Sequence, residues 1–212
     1  QTESRDRQRT MLRTAMGPRI AAALADPTVI EVMVNPDGAL RVDRLGEGRI
    51  DLGVRIAPSA TERIIRLVAS HLRLEVHAAS PIVSAELPSL GDGIAGERFE
   101  GLLPPVVRAP CFAIRKPAAK IHTLGDYVNA HILTVNEAAW LQRAVTARKN
   151  ILIAGGTSSG KTTLANALLA EIAPQDERVI VIEDTRELQC AAPDCVNLRT
   201  KPGVASLADL VR

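Results

Sequence analysis

The chain has 212 residues, of which 46% are apolar and 24% charged, enough for one or two globular domains with ordinary hydrophobic cores. Its 26 basic and 24 acidic residues leave a net charge of +2, which excludes a global electrostatic case for nucleic acid or membrane binding. No apolar run approaches the roughly 20 residues of a bilayer span and no signal peptide is read, so a cytoplasmic location is the default; Cys111, Cys190 and Cys195 fit a reducing compartment without disulfides.

Residues 3–25 read as a helix with an apolar stripe of Met11, Leu12, Ala15, Met16, Ile20 and Leu24, while Arg5, Arg7, Arg9, Arg13 and Arg19 crowd the other side. That basic side is either a surface for anionic lipid or an acidic partner, or a solvated face on a capping helix. Residues 29–34 read as a strand, Asn35-Pro36-Asp37-Gly38 as a turn and 40–45 as the returning strand of a hairpin. A helix capped by Ser59 or Thr61 is predicted to reach residue 73, with Ile64, Leu67, Val68 and Leu72 on one face. The Pro- and Gly-dense stretch 81–110 fits short strands joined by tight turns and leads into the strand Cys-Phe-Ala-Ile-Arg at 111–115. These elements are expected to form an α+β domain, residues 1–130, with a small mixed or antiparallel sheet.

Residues 120–129 read as a connection and 134–149 as a helix with Ala138, Leu141 and Val145 facing inward. The second domain, 131–212, then declares itself. Ile151, Leu152, Ile153 and Ala154 form the continuous apolar run of a strand buried in a parallel sheet. Gly155-Gly156-Thr157-Ser158-Ser159-Gly160-Lys161-Thr162-Thr163 follows, meeting the pattern G-x-x-x-x-G-K-[ST] at Gly155, Gly160, Lys161 and Thr162. Glycines let the backbone curl its N–H groups around an anion; Lys161 is placed to reach β- and γ-phosphates, and the Thr162 hydroxyl to ligate Mg²⁺. Leu164, Ala167, Leu168 and Ile172 make the next helix amphipathic, its positive N-terminus aimed at the phosphates.

A second apolar strand, 179–182, ends in Glu183-Asp184 and completes a βαβ unit; a carboxylate at that strand end can hold Mg²⁺ or orient an attacking water, so Glu183 is assigned both a catalytic and a metal role. Cys190 and Cys195 lack the further ligands of a zinc site, and His71, His77, His122 and His131 show no metal or triad spacing.

Three segments, GERFEGLLPPVVRAPCFAIRKP, NILIAGGTSSGKTTLANALL and ERVIVIEDTREL, resemble the type II/IV secretion ATPase superfamily, and within it the TrbB-like conjugal-transfer and type IV secretion traffic ATPases. The resemblance implies a RecA-like P-loop α/β domain that follows the N-terminal α+β domain, which would serve as lid and oligomerisation domain, with MgATP bound between the two and hydrolysed to power pilus assembly or substrate transfer. It also implies that Arg98 and Arg115 are phosphate-contacting, catalytic arginines, since a basic pair would neutralise charge growing on the γ-phosphoryl oxygens. The partners implied are other copies of the chain in a hexameric ring and inner-membrane secretion components, with peripheral contact at the inner face of that membrane; no sequence-specific nucleic acid binding is expected. ATP rather than GTP follows from the resemblance and from the lack of a guanine-reading N-K-x-D motif.

Family members continue past Ser206-Leu207-Ala208-Asp209-Leu210-Val211-Arg212 into an arginine-rich loop, a Walker B strand and a histidine box. The chain is accordingly expected to be a piece of a longer ATPase that binds nucleotide and turns it over poorly. The alternatives are a type IV pilus or type II secretion ATPase, a small-molecule kinase, and a nucleotide-binding scaffold without turnover.

Overall fold

Between Pro117 and Ala118 the chain passes from one packed unit, Gln1–Pro117, into a second, Ala118–Arg212, in a computed structural model that describes residues 2–88, 96–117, 121–156, 159–201 and 203–211. In the first unit, α1 (Thr2–Ala25), β1 (Val29–Val34), β2 (Ala39–Arg44), β3 (Gly48–Arg55), α2 (Pro58–His71), β4 (Ile82–Glu86), β5 (Arg98–Leu102) and β6 (Cys111–Arg115) follow one another. The strands form one sheet in the order β3-β2-β1-β6-β5-β4. Every pairing in it is antiparallel, which decides between the mixed and the antiparallel sheet expected.

One face of that sheet carries the core. Val32, Val34, Leu40, Val42, Phe99, Phe112 and Ile114 point to it, and the Phe99 and Phe112 rings stack with centroids 5.4 Å apart. Helix α2 covers it with Ile64, Ile65, Val68 and Ala69, and α1 with Leu12, Met16, Ile20 and Leu24. Helix α1 breaks at Gly17, whose φ of 69° is followed by Pro18, a residue that cannot extend the preceding turn. Leu12, Met16, Ile20 and Leu24 of the apolar stripe are buried in the core, Met11 is half exposed, and Arg7, Arg9, Arg13 and Arg19 are exposed, which leaves the described part of α1 little apolar face for lipid.

Two local expectations change. Helix α2 begins at Pro58, with Ala57 as N-cap and no side-chain cap; Thr61 is buried and its hydroxyl donates to the Ala57 carbonyl at 3.3 Å. Strand β3, unforeseen, is an alternating strand on which Ile50, Leu52 and Val54 pack against the core.

In the second unit, α3 (Leu124–Asn129), α4 (Val135–Thr146), α5 (Lys161–Ile172), β7 (Val179–Glu183), β8 (Cys195–Arg199) and α6 (Leu207–Leu210) follow. The division falls earlier than the seam read near residue 130, because 121–129 is not a mere connection. Thr123 and Asp126 form a capping box that starts α3, and Leu124 and Tyr127 pack with Val145, Ala167 and Leu168. Thr134 and Glu137 cap α4 in the same way. Strands β7 and β8 pair in parallel.

The apolar run 151–154 is the main correction. It pairs with no strand among the described residues, and Ile151 and Leu152 are 41% and 92% exposed. With Trp140, Leu141, Leu164 and Leu168 it lines a groove of about 740 Å³. Hydropathy says that such a segment favours burial; it does not say which neighbour supplies it.

Truncating the stacked core ring by Phe99→Ala is expected to cost about 3–5 kcal/mol, a large share of a domain's stability. Urea unfolding followed by far-ultraviolet circular dichroism should show a transition at lower urea; an unchanged midpoint would contradict this packing.

Candidate functional site

The loop 155–160 is shaped by two glycines. Gly160, the N-cap of α5, sits at φ 85° and ψ 15°, a left-handed conformation that side chains with a Cβ rarely adopt. A Cβ on Gly155 would fall 2.5 Å from the Ser159 hydroxyl oxygen. The loop thereby closes tightly, with the Ser159 N–H donating to the Gly156 carbonyl at 3.4 Å. Lys161 follows at once, and its Nζ donates to the Gly156 carbonyl, which sets the ammonium over the loop.

Helix α5 is long enough to carry a dipole and has no acidic residue in its first turn. Its first N–H groups have no intrahelical acceptor; the ladder begins where the Leu164 N–H donates to the Gly160 carbonyl at 2.9 Å. The arrangement places free amides and one ammonium together at a helix N-terminus, the chemistry of an oxyanion site. Gly155, Gly156, Ser159 and Gly160 are exposed and Lys161, Thr162 and Thr163 half-buried, so an incoming anion reaches all of them. Thr157 and Ser158, also expected to bind, lie outside the described residues.

Carboxylates stand beside the first turn of α5. Glu183 ends β7, and its Oε1 accepts the N–H groups of Glu187 and Leu188 at 2.9 and 2.8 Å, which turns the following loop back toward α5. Glu187 Oε2 accepts from the Thr162 hydroxyl at 3.0 Å. Asn166, 2% exposed, clamps the same loop: its Nδ2 donates to the Glu187 carbonyl at 3.3 Å and its Oδ1 accepts from the Gln189 N–H at 2.8 Å. Asp184 is exposed and instead accepts from the Thr200 hydroxyl at 2.9 Å. Glu187 and Asn166 went unassigned from the sequence, although two carboxylates four residues apart in Glu-Asp-Thr-Arg-Glu were a signal in plain view.

The donor set fits a magnesium polyphosphate. Amides and an ammonium suit the anion, and a hydroxyl backed by carboxylates suits a hard cation. Among the described residues no group of three or more His, Cys, Asp or Glu could hold a metal ion by itself.

Arg98 and Arg115 belong to the other unit. They are direct cross-strand partners at the ends of β5 and β6, both exposed, on the face of the sheet opposite Phe99 and Ile114. Like charges opposed in a ladder repel, but each arginine also has a carboxylate in register on its other side, Glu86 opposite Arg98 and Glu31 opposite Arg115. The Arg98 guanidinium is offset by Glu100, whose Oε1 accepts from Nε and Nη2 at 3.1 and 3.0 Å; Arg115 makes no ion pair among the described residues. Lys116 turns the other way: its Nζ donates to the Asp26 carbonyl at 2.6 Å, and burial pushes its pKa below the usual lysine value against the pull of Asp26 and Glu97.

A family profile described as "Type II/IV secretion system protein" matches residues 20–212. The chain is 45% identical over 206 residues to the conjugal transfer protein TrbB of Rhizobium radiobacter, covering 96% of this chain and 62% of that protein. It is 46% identical over 207 residues to a probable conjugal transfer protein TrbB of Sinorhizobium fredii, again covering 96% of this chain and 62% of the relative. The chain thus spans somewhat under two thirds of these relatives' length. Among solved structures it resembles the VirB11 ATPase of the Brucella suis type IV secretion system in complex with sulphate, with a TM-score of 0.53, 28% identity and coverage of 99% of this chain and 67% of that one. The pilus retraction motor PilT shares the fold, with a TM-score of 0.63 at 18% identity over 92% of this chain and 55% of that one.

Placing a Cβ at residue 160 is expected to cost about 1–2 kcal/mol of local stability. In Gly160→Ala the amides of residues 164–167 should exchange with solvent roughly tenfold faster; unchanged exchange would mean that the left-handed cap is not needed.

Proposed function

The chain belongs to the type II/IV secretion system protein family, and on that footing we propose that it is the nucleotide-handling part of a motor ATPase of a bacterial conjugation or type IV secretion system. It binds MgATP and hydrolyses it to drive pilus assembly or substrate transfer. The observation that carries the reading is the start of α5: a left-handed glycine, then Lys161 over the loop carbonyl and Thr162 hydrogen bonded to a carboxylate. The names of the relatives support the setting, since two are conjugal transfer proteins and the Brucella suis structure is titled an ATPase bound to sulphate, an anion of phosphate-like shape.

Each residue then has a task. The amides of residues 155–163 and the Lys161 ammonium grip the β- and γ-phosphates. The Thr162 hydroxyl faces the metal, and Glu183, at the carboxyl end of β7, organises the acidic side of the site. A bound Mg²⁺ would supply positive charge across the phosphate oxygens. Arg98 and Arg115 contribute to transfer by neutralising charge that grows on the γ-phosphoryl oxygens, with water as the acceptor. The family resemblance further supports a homo-oligomeric, hexameric ring that works from the cytoplasm at the inner membrane. No described helix is long and apolar enough to cross a membrane. Any membrane contact of α1 is then electrostatic, through its exposed arginines.

Lys161→Ala removes a charge-assisted contact and should weaken ATP binding by roughly 10- to 100-fold. Titration with a fluorescent ATP analogue measures this, and wild-type affinity in the variant would defeat the site assignment. In phosphate-release assays, Arg98→Ala and Arg115→Ala should lower kcat by more than they weaken nucleotide binding. Equal loss in both would assign the arginines to ground-state binding alone.

A further inference from the structure

On its way from β7 to β8 the chain runs through Cys190-Ala191-Ala192-Pro193-Asp194-Cys195, and its course brings the two thiols together. The start of the segment is tied to α5, where the Gln189 N–H donates to Asn166 Oδ1 at 2.8 Å. Its end is tied to β7: the Asp194 carbonyl accepts from the Val179 N–H at 2.9 Å, and Cys195 stands in register beside Val179. Ala192, between these anchors, is buried, and the chain bends at Pro193 and Asp194. The Cys195 thiol therefore lies within hydrogen-bonding reach of the Cys190 thiol, and its Sγ is 3.9 Å from Asn197 Oδ1. Both cysteines are free and half-buried, so a small oxidant reaches them.

Two thiols in contact either hold a soft metal or bond to each other. A structural zinc site takes four ligands, and among the described residues no group of three or more metal-ligating side chains forms. Bonding to each other requires only a two-electron oxidant. Cys111 provides the contrast: it lies on β6 in the other unit, where burial pushes its thiol pKa up.

We propose that Cys190 and Cys195 are a modification site, a dithiol that hydrogen peroxide converts reversibly into an intramolecular disulfide. The site goes beyond the ATPase reading and does not depend on it. The thiolate is the nucleophile in such chemistry. Burial first, and then Cys190 and Asp194 beside it, raise the Cys195 thiol pKa above its ordinary value, so the first attack falls to Cys190. The Cys190 thiolate attacks one peroxide oxygen, the O–O bond breaks, and a sulfenic acid forms as hydroxide departs. Cys195 then attacks that sulfur; the S–S bond forms, the S–O bond breaks, and the departing hydroxyl leaves as water with the Cys195 proton. Each sulfur loses one electron, the peroxide gains both, and the hydroxide recovers as a second water the proton that Cys190 released. A thiol reductant reverses the change.

The test treats the 212-residue chain with hydrogen peroxide, alkylates the remaining thiols and maps the peptides by mass spectrometry. The expected product links Cys190 to Cys195 within one chain and leaves Cys111 alkylated, and dithiothreitol should restore all three thiols. In Cys195→Ser the Cys190 sulfenic acid has no resolving thiol, so dimedone should label Cys190 at least roughly tenfold more than in wild type. Equilibration with reduced and oxidised glutathione separates the effect of the fold from closeness in sequence. The folded chain should keep the disulfide in a buffer at least about tenfold more reducing than the urea-denatured chain tolerates. Equal tolerance in the two states would overturn the proposal. So would peroxide products in which Cys190 is a sulfinic acid beside a free Cys195 thiol, or in which the link joins two chains.

Discussion

The second unit is organised around one constraint: α5 must begin abruptly, with its amides exposed and its first turn held against the acidic loop after β7. Gly160 allows the abrupt start through its positive φ. Asn166 secures the loop, since its buried amide accepts and donates across to Gln189 and Glu187 and would be costly to leave unpaired. Cation-side and anion-side chemistry are thus tied to a single helix end. Lys161 stands over the loop on one side of that helix end, and the Thr162 hydroxyl is hydrogen bonded to Glu187 on the other.

The first unit solves a different problem. A sheet of six antiparallel strands has one face buried under α1 and α2 and leaves the other available, and it is on the available face that Arg98 and Arg115 stand opposed. Their repulsion is offset within the sheet, where Glu100 pairs with Arg98 and Glu86 and Glu31 lie in register beside Arg98 and Arg115. The stacked Phe99 and Phe112 rings lie on the reverse of the same strands, so the core fixes the strand ends on which the arginines are carried.

What could be read from residues alone follows from which physics is local. The hairpin of β1 and β2 was legible because Asn35-Pro36-Asp37-Gly38 dictates a turn: Gly38 takes a positive φ and Asp37 accepts from the Ala39 N–H, which with the Arg41 guanidinium holds its pKa near 2. Helix α4 announced itself through the spacing of Ala138, Leu141 and Val145, and the phosphate loop through its glycine and lysine spacing. Strand β3 and helix α3 were overlooked although their signals, alternating Ile50, Leu52 and Val54 and the Thr123–Asp126 box, are equally local. The run 151–154 is another matter, because burial on both sides of a strand depends on distant partners that its own composition cannot name. Glu187 was visible as the second carboxylate of Glu-Asp-Thr-Arg-Glu, but its hydrogen bond to a residue 25 positions earlier could not be read from spacing.

The central claim is that residues 155–162 grip the phosphate tail of a nucleoside triphosphate. A crystal structure of the protein grown with Mg²⁺ and a non-hydrolysable ATP analogue tests it most directly. The account predicts β- and γ-phosphate oxygens within hydrogen-bonding distance of the loop amides and Lys161 Nζ, with Mg²⁺ against the Thr162 hydroxyl. A nucleotide bound elsewhere, with the loop still closed by Lys161 on the Gly156 carbonyl, would contradict it.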